Sequence, residues 1–158
     1  MNRIVVFCIA LVMLGVCACS NNCYVPTRAL LGVSFLNAET LQPQDVTDLV
    51  VKGVGSDSVL YDMPTAINVI YLPLKPDGSS TSFDISFKST QNEEQTGQYQ
   101  LTVLHESYPQ LISPECGCVM FHTIQGAQCS NESQTLQLEV YNPHVMNVEN
   151  DVHLKIYL

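Results

Sequence analysis

Alternation of apolar and polar side chains constrains what this chain can fold into more than any other feature of its sequence. In residues 82–88 (SFDISFK) every second residue is apolar, and the same period of two recurs in 135–140 and 152–158. This period places all the apolar side chains on one face of an extended segment, which predicts half-buried β-strands. The remaining strand-like runs are residues 31–35, 49–51, 59–61, 69–72, 99–103 and 119–124.

The connections between these runs carry turn residues. All eight prolines lie between the runs or at their ends, where a missing N–H interrupts no strand pairing. Residues 75–80 (KPDGSS) form a clear turn signal, and no segment shows a sustained helical period. Many short strands without helices predict an all-β fold, and we expect an antiparallel β-sandwich of the immunoglobulin-like kind with about nine strands.

The first eighteen residues have the organisation of a signal peptide. A basic start at Arg3 precedes an uncharged apolar run over 4–16, which is too short to cross about 30 Å of hydrocarbon as a helix. Val16 and Ala18 stand at positions −3 and −1 relative to Cys19, which is typical of a lipoprotein signal. We therefore expect cleavage before Cys19; the alternative is an ordinary secretory signal cut near Ala18.

Acylation of Cys19, with palmitate among its chains, would anchor the protein without a membrane-spanning helix, because two or three acyl chains give stable attachment. The predicted organisation is a signal peptide over 1–18, a lipid-anchored tether over 19–28 and one β-sandwich domain over 29–158. The length after cleavage suits a single domain with a sizeable core.

Four of the seven cysteines remain after the leader and Cys19 are set aside. In an oxidising compartment they predict two disulfides. Cys116 and Cys118 stand two apart, so a bond between them would be strained. Two pairings stay open: Cys23–Cys116 with Cys118–Cys129, which we favour, or the same set with Cys116 and Cys118 exchanged. We expect no zinc at these cysteines, because disulfides prevail outside the cytosol.

The charge balance is strongly acidic. The chain holds 15 acidic and six basic residues, a net charge of −9, and loss of Arg3 with the leader makes it −10. This balance argues against a nucleic-acid partner, whose phosphates require a basic face, and against docking on anionic head groups. Membrane attachment is therefore expected from the acyl chains alone.

Short motifs along the chain resemble a family of Bacteroidetes lipoproteins of unknown function. They are Cys23 followed by Pro26-Thr27, then Val33-Ser34-Phe35, Gly53-x-Gly55-x-Asp57-Ser58-x-Leu60-Tyr61, Leu72-Pro73-Leu74, Glu115-Cys116-Gly117, Phe121, and Val152 to Tyr157. The resemblance covers most of residues 19–158.

This resemblance implies an envelope-anchored all-β domain with a bond between Cys23 and Cys116, and it brings no catalytic residue. The chain departs from the family pattern at Cys118, where an aromatic or aliphatic residue is expected. With Cys129, that departure predicts an additional disulfide, Cys118–Cys129. Residues 20–22 contain no acidic surface-export signal, which favours an outer-membrane protein facing the periplasm.

The histidines and cysteines form no recognisable catalytic motif. Serine-hydrolase, zinc-protease and phosphate-loop signatures are absent from the sequence. The four histidines are scattered. His105 and His122 could lie on neighbouring strands, but two histidines without a matching carboxylate motif are more often surface residues than metal ligands. A nucleophile pair of Cys118 with either of these two histidines would compete with disulfide formation.

Two further patterns have a structural and a functional interpretation. Asp57-Ser58-Val59 matches a glycosylation pattern of exported Bacteroidetes proteins at Ser58, although Asp and Ser also favour turns, and we prefer the turn. Calcium would need several converging oxygen ligands, and no calcium-loop spacing exists. The carboxylates considered for such a site are Asp57, Asp62, Asp77, Glu149 and Asp151.

The function expected from these features is non-enzymatic. We expect an envelope lipoprotein without a cofactor that binds a protein or glycan or supports envelope structure. Such a protein should expose an apolar or aromatic patch, with Tyr24, Tyr108 or Tyr141 as candidates. The alternative is an enzyme or calcium-dependent binder whose loop-built site leaves no linear motif; it predicts a deep pocket with convergent carboxylates, histidines or a free thiol.

Overall fold

The computed structural model describes residue 23, residues 25–90 and residues 96–158. Within these residues the chain forms strands and no helix, so none could cross a membrane as a helix. The leader, Cys19 and Tyr24 lie outside them, and lipidation therefore stays a prediction. The strands are β1 (Leu30–Leu36), β2 (Val46–Gly53), β3 (Val59–Met63), β4 (Val69–Pro73), β5 (Ser80–Ser89), β6 (Gly97–Ser113), β7 (Gly117–Ser130), β8 (Thr135–Val140), β9 (His144–Val145) and β10 (Leu154–Tyr157).

The strands join into one sheet in the order β3-β2-β5-β6-β7-β8-β10-β1-β4, with β9 paired to β7. The β1–β10 pair is parallel and the others are antiparallel. A bridge between Val46 and Ile67 ties β2 to the approach of β4. The Tyr61 hydroxyl also donates to the carbonyl of Tyr71 and accepts from its N–H, so the two ends of the sheet meet.

The prediction of an all-β fold is confirmed, but the arrangement differs from an immunoglobulin-like sandwich. Because β8 pairs with both β7 and β10, the sheet continues around the core instead of dividing into two layers. The result is nearly closed and barrel-like, with mixed strands. Closure of this kind protects most strand edges by pairing.

The core follows the alternation read from the sequence. Phe83, Ile85 and Phe87 of β5 are buried, and the intervening residues are more exposed. The ring of Phe87 lies 5.5 Å from those of Phe35 and Tyr99 between centroids, which joins three strands through aromatic contacts. Burial of each such side chain contributes roughly 1.5–3 kcal/mol before entropic costs.

The strands β6 and β7 are much longer than their sequence runs predicted. Pro109 lies inside β6, opposite Met120, so the prediction that every proline falls outside or at the end of a strand is wrong. The reason is that β5 pairs with β6 only as far as Leu104. Beyond that point no strand among the described residues pairs with this side of β6, and an edge tolerates a proline.

Candidate functional site

The β6–β7 hairpin has two halves with different neighbours. Its inner half, residues 97–104 and 124–130, is flanked on the β6 side by β5. Its outer half, residues 105–113 and 117–123, extends beyond β5 and pairs briefly with β9. Cys118, His105 and His122, all singled out in the sequence, lie on this outer half.

Two buried histidines meet where the halves join. His105 and His122 are 1% and 3% exposed, and their rings pack edge to face with centroids 5.3 Å apart. Ser107 Oγ lies 2.8 Å from His122 Nδ1 and 3.2 Å from His105 Nδ1. Thr81 Oγ1 lies 2.8 Å from His105 Nε2. These four residues are named the histidine cluster.

The hydrogen bonds of the histidine cluster form a chain. The Lys75 N–H donates to Thr81 Oγ1 over 2.9 Å, which leaves the Thr81 hydroxyl proton for His105 Nε2. His105 then donates from Nδ1 to Ser107, whose single hydroxyl proton goes either to His122 Nδ1 at 2.8 Å or to the carbonyl oxygen of Lys75 at 3.4 Å. In the second case His122 donates from Nδ1 to Ser107. Both imidazoles are neutral in either arrangement, so the cluster needs no buried charge.

Burial also keeps these imidazoles neutral near pH 7. Desolvation, reinforced by the nearby His105, lowers the pKa of His122 to about 4, and desolvation lowers the pKa of His105. A neutral imidazole beside a serine hydroxyl is the arrangement that general-base catalysis uses. Among the described residues, however, neither ring is hydrogen-bonded to a carboxylate that would orient it as a base.

Two open grooves border the histidine cluster. One, of about 410 Å³, is lined by residues that include Arg28, Leu74, Cys118, Met120 and His122. The other, of about 510 Å³, runs along the β4–β5 turn beside His105 and Ser107. The first groove is lined by both Cys118 and His122, the pair considered as a nucleophile and base. They lie four residues apart on β7, about 13 Å at ~3.3 Å per residue, which is too far for a thiol–imidazole pair.

The disulfide prediction is half right. Cys23 and Cys116 are bonded with their Cα atoms 5.0 Å apart, which places the start of the described chain against the end of the hairpin. The predicted Cys118–Cys129 bond is wrong: both thiols are free, Cys118 exposed and Cys129 buried. Both lie on β7, eleven residues apart at about 3.3 Å per residue, which is far beyond disulfide reach.

The expectation that His105 and His122 lie at the surface is also wrong. His105, His122 and His153 are buried, and His144 is exposed. His153 Nδ1 accepts from the Gly32 N–H over 2.9 Å, but its Nε2 has no hydrogen-bond partner. A carboxylate oxygen of Asp151 lies 3.9 Å from that Nε2. The His153 imidazole is therefore buried without a hydroxyl partner, unlike the two imidazoles of the histidine cluster.

The remaining predicted residues lie apart. Ser58 is exposed in the connection between β2 and β3, which agrees with the preferred interpretation of this pattern as a turn. Glycosylation at Ser58 stays a prediction. In the described part of the chain, no three His, Cys, Asp or Glu side chains converge as metal ligands, so the five carboxylates considered for calcium do not form a site there. Tyr108 packs against Phe121, and Lys155 covers the ring of Tyr141.

The two hydroxyls that contact the buried imidazoles, those of Thr81 and Ser107, were not predicted from the sequence. A signal for Ser107 was present, since His105-x-Ser107 places both side chains on one face of a strand. Thr81 arrives from β5, opposite Val103 in the pairing register, and no local pattern announces it.

Comparison with known proteins gives one match. The model of a family of unknown function, DUF6452, matches residues 48–158, which include the whole β6–β7 hairpin and the histidine cluster. No curated protein and no solved structure matches the chain.

Proposed function

The chain belongs to DUF6452, a family of unknown function, and from its own residues we propose that it is a lipid-anchored, non-enzymatic protein of a bacterial cell envelope. Cys19 carries the lipid, and the β domain serves as a binding or structural module for a protein or glycan. The domain faces the periplasm from the outer membrane. The protein is a lipoprotein of the Bacteroidetes type, as the short motifs from Cys23 to Tyr157 suggest.

The Cys23–Cys116 disulfide is the observation that carries the proposal. Disulfides persist in oxidising compartments and are rare in the cytosol. This bond uses the first cysteine after Cys19 and closes a loop with a sequence separation of 93 residues. The signal-like leader over 1–18 and the disulfide at Cys23 both support export of the protein.

Surface composition supports a macromolecular partner. Acidic residues outnumber basic ones, which disfavours nucleic acid and anionic lipid as ligands. Large apolar side chains are nevertheless exposed on several elements, among them Leu60 and Met63 on the edge strand β3, and Tyr141 after β8. Exposed aromatic and aliphatic side chains are the usual anchors of protein and glycan contacts.

Fatty-acid labelling tests the anchor. Cells grown with an alkyne fatty acid should yield labelled wild-type protein in the membrane fraction, and unlabelled, soluble Cys19→Ala protein. A photo-crosslinking residue in place of Tyr141 should then capture a discrete partner in cells. Wild-type protein that is unlabelled and soluble would contradict the anchor; absence of any crosslink from several exposed positions would contradict the binding role.

The Ser107–His122 contact favours a second candidate, a serine-dependent hydrolase. The 2.8 Å hydrogen bond places a hydroxyl nucleophile on a neutral imidazole beside an open groove. A fluorophosphonate probe should label Ser107 if this candidate is correct, and Ser107→Ala should abolish the label. A folded wild-type protein that the probe leaves unmodified would remove this candidate and keep the first.

A further inference from the structure

We propose that the outer end of the β6–β7 hairpin lies against the lipid surface and holds the domain in one orientation on its membrane. The contact surface is named the hairpin tip and comprises residues 111–118 together with Val25 and Tyr108. Its partner is the interfacial region of the leaflet that holds the anchor. This inference rests on acylation of Cys19, which belongs to the proposed function.

The length of chain between the lipid and the disulfide determines which end of the domain is nearest the membrane. Cys19 and Cys23 are separated by four peptide units, which span at most about 14 Å at ~3.6 Å each. Cys23 is covalently joined to Cys116 in the hairpin tip. Since the tip is fixed to this short tether, it cannot move far from the bilayer surface.

The opposite end of the hairpin is much farther away. Gln100 pairs with Ser130 at the inner end, and Leu111 pairs with Cys118 at the outer end. Eleven residues separate Gln100 from Leu111, which corresponds to about 36 Å along a strand at ~3.3 Å per residue. The hairpin is thus longer than the tether, so the tether can hold only the outer end of the hairpin close to the membrane.

The chemistry of the hairpin tip fits an interfacial position. Leu111 is 59% exposed, Val25 41% and Tyr108 39%. Glu115 is the one charged residue in 111–118 of an otherwise strongly acidic protein. Transfer of aliphatic side chains out of water lowers the free energy of the system, and tyrosine prefers the boundary between head groups and acyl chains. The tip thus presents apolar side chains where the lipid is closest.

Tryptophan quenching can test the orientation, because the chain contains no tryptophan. Leu111→Trp places a single reporter on the tip, and Glu132→Trp places a matched reporter on the exposed turn at the inner end of the hairpin. The full-length lipidated variants are reconstituted in phosphatidylethanolamine and phosphatidylglycerol vesicles whose acyl chains are brominated near the glycerol. We expect the Leu111→Trp protein to lose most of its fluorescence and the Glu132→Trp protein to keep it.

Lengthening the tether tests the cause without touching the fold. Insertion of about twenty Gly and Ser residues after Asn22 adds a flexible span of roughly 25 Å. In the Leu111→Trp protein this insertion should restore the fluorescence while acylation and vesicle binding remain. Quenching that survives the insertion would overturn the role of the tether.

The outcomes separate this inference from the proposed function. If mass spectrometry shows acylation and the protein is vesicle-bound, an unquenched Leu111→Trp reporter overturns the orientation and leaves the anchor intact. Equal quenching of both reporters also overturns it, because the domain would then lie flat or reorient freely. A protein without acyl chains overturns both proposals.

Discussion

The two halves of the β6–β7 hairpin are continuous in sequence but are held in place by different forces. The inner half lies in the middle of the sheet, where Leu101 and Val103 are completely buried. The outer half leaves β5 behind and is secured by the Cys23–Cys116 bond and by the histidine cluster at its base. Val119 and Phe121 of the outer half are also buried in the core, so the covalent and polar contacts there add to apolar burial and do not replace it.

The two free thiols should show the largest difference between the halves. Cys118 is exposed on the outer half, while burial raises the pKa of Cys129 on the inner half to about 12. Because the thiolate is the reactive form, maleimide at about pH 8 should modify Cys118 at least roughly a thousandfold faster than Cys129 in the native protein. Mass spectrometry of labelled peptides measures the ratio. Similar rates would show that the inner half opens readily.

A matched pair of leucine truncations compares the contribution of burial in the two halves. Leu101→Ala removes a fully buried side chain and should lower the free energy of unfolding by about 2–5 kcal/mol. Leu111→Ala removes a side chain that is 59% exposed and should change it by less than about 0.5 kcal/mol in the soluble domain. Urea denaturation measures both values. Equal losses would contradict the described difference.

Removal of the disulfide should loosen the outer half preferentially. The double variant Cys23→Ser, Cys116→Ser leaves no new thiol and should lose about 2–4 kcal/mol of stability. Hydrogen exchange should accelerate most at residues 105–123, while the amides of the inner half exchange as before. Acceleration that is uniform along β6 and β7 would show that the two halves open as one unit.

The histidine cluster should make stability depend on pH. The pKa of His122 is about 4 in the folded chain, whereas an unfolded histidine titrates near 6.5, so the unfolded chain binds the proton first as the pH falls. The stability contributed by the neutral rings is complete above pH 6.5 and is lost as the pH falls towards 4. We expect a loss of roughly 1–2 kcal/mol between about pH 7.5 and pH 5, measured by urea denaturation.

Two histidine variants test whether this pH dependence comes from His122. His122→Gln should reduce the loss between the two pH values, whereas His144→Gln, at an exposed position, should leave it unchanged. An unchanged loss in the His122→Gln protein would assign the pH dependence to other groups, such as His153.

The same comparison shows which parts of the structure were predictable. The strand β5 follows from its alternation, because side-chain period is a local property of the sequence. The extension of β6 past Leu104 was not predictable, since residues 105–113 do not alternate and contain Pro109. Local patterns also carry no information on the parallel β1–β10 pair or on closure of the sheet, which depend on segments far apart in the chain.

The candidate site was predictable to the same limited extent. The sequence suggested that His105 and His122 lie on neighbouring strands, although His105 falls just beyond the run over 99–103. Their burial was not predictable, because it requires the Thr81 hydroxyl from another strand and the Ser107 hydroxyl between the rings. The Cys118–Cys129 prediction failed for a related reason: both residues belong to one long strand whose length the sequence underestimates.

The most direct test of the account is mass spectrometry of the native protein, digested without reduction after extraction from membranes. We predict one crosslinked species in which acylated Cys19 begins a peptide that is joined through Cys23 to Cys116. An unmodified Cys19 preceded by residues 1–18, or reduced thiols at Cys23 and Cys116, would contradict the account of an exported, anchored domain fastened at the hairpin tip.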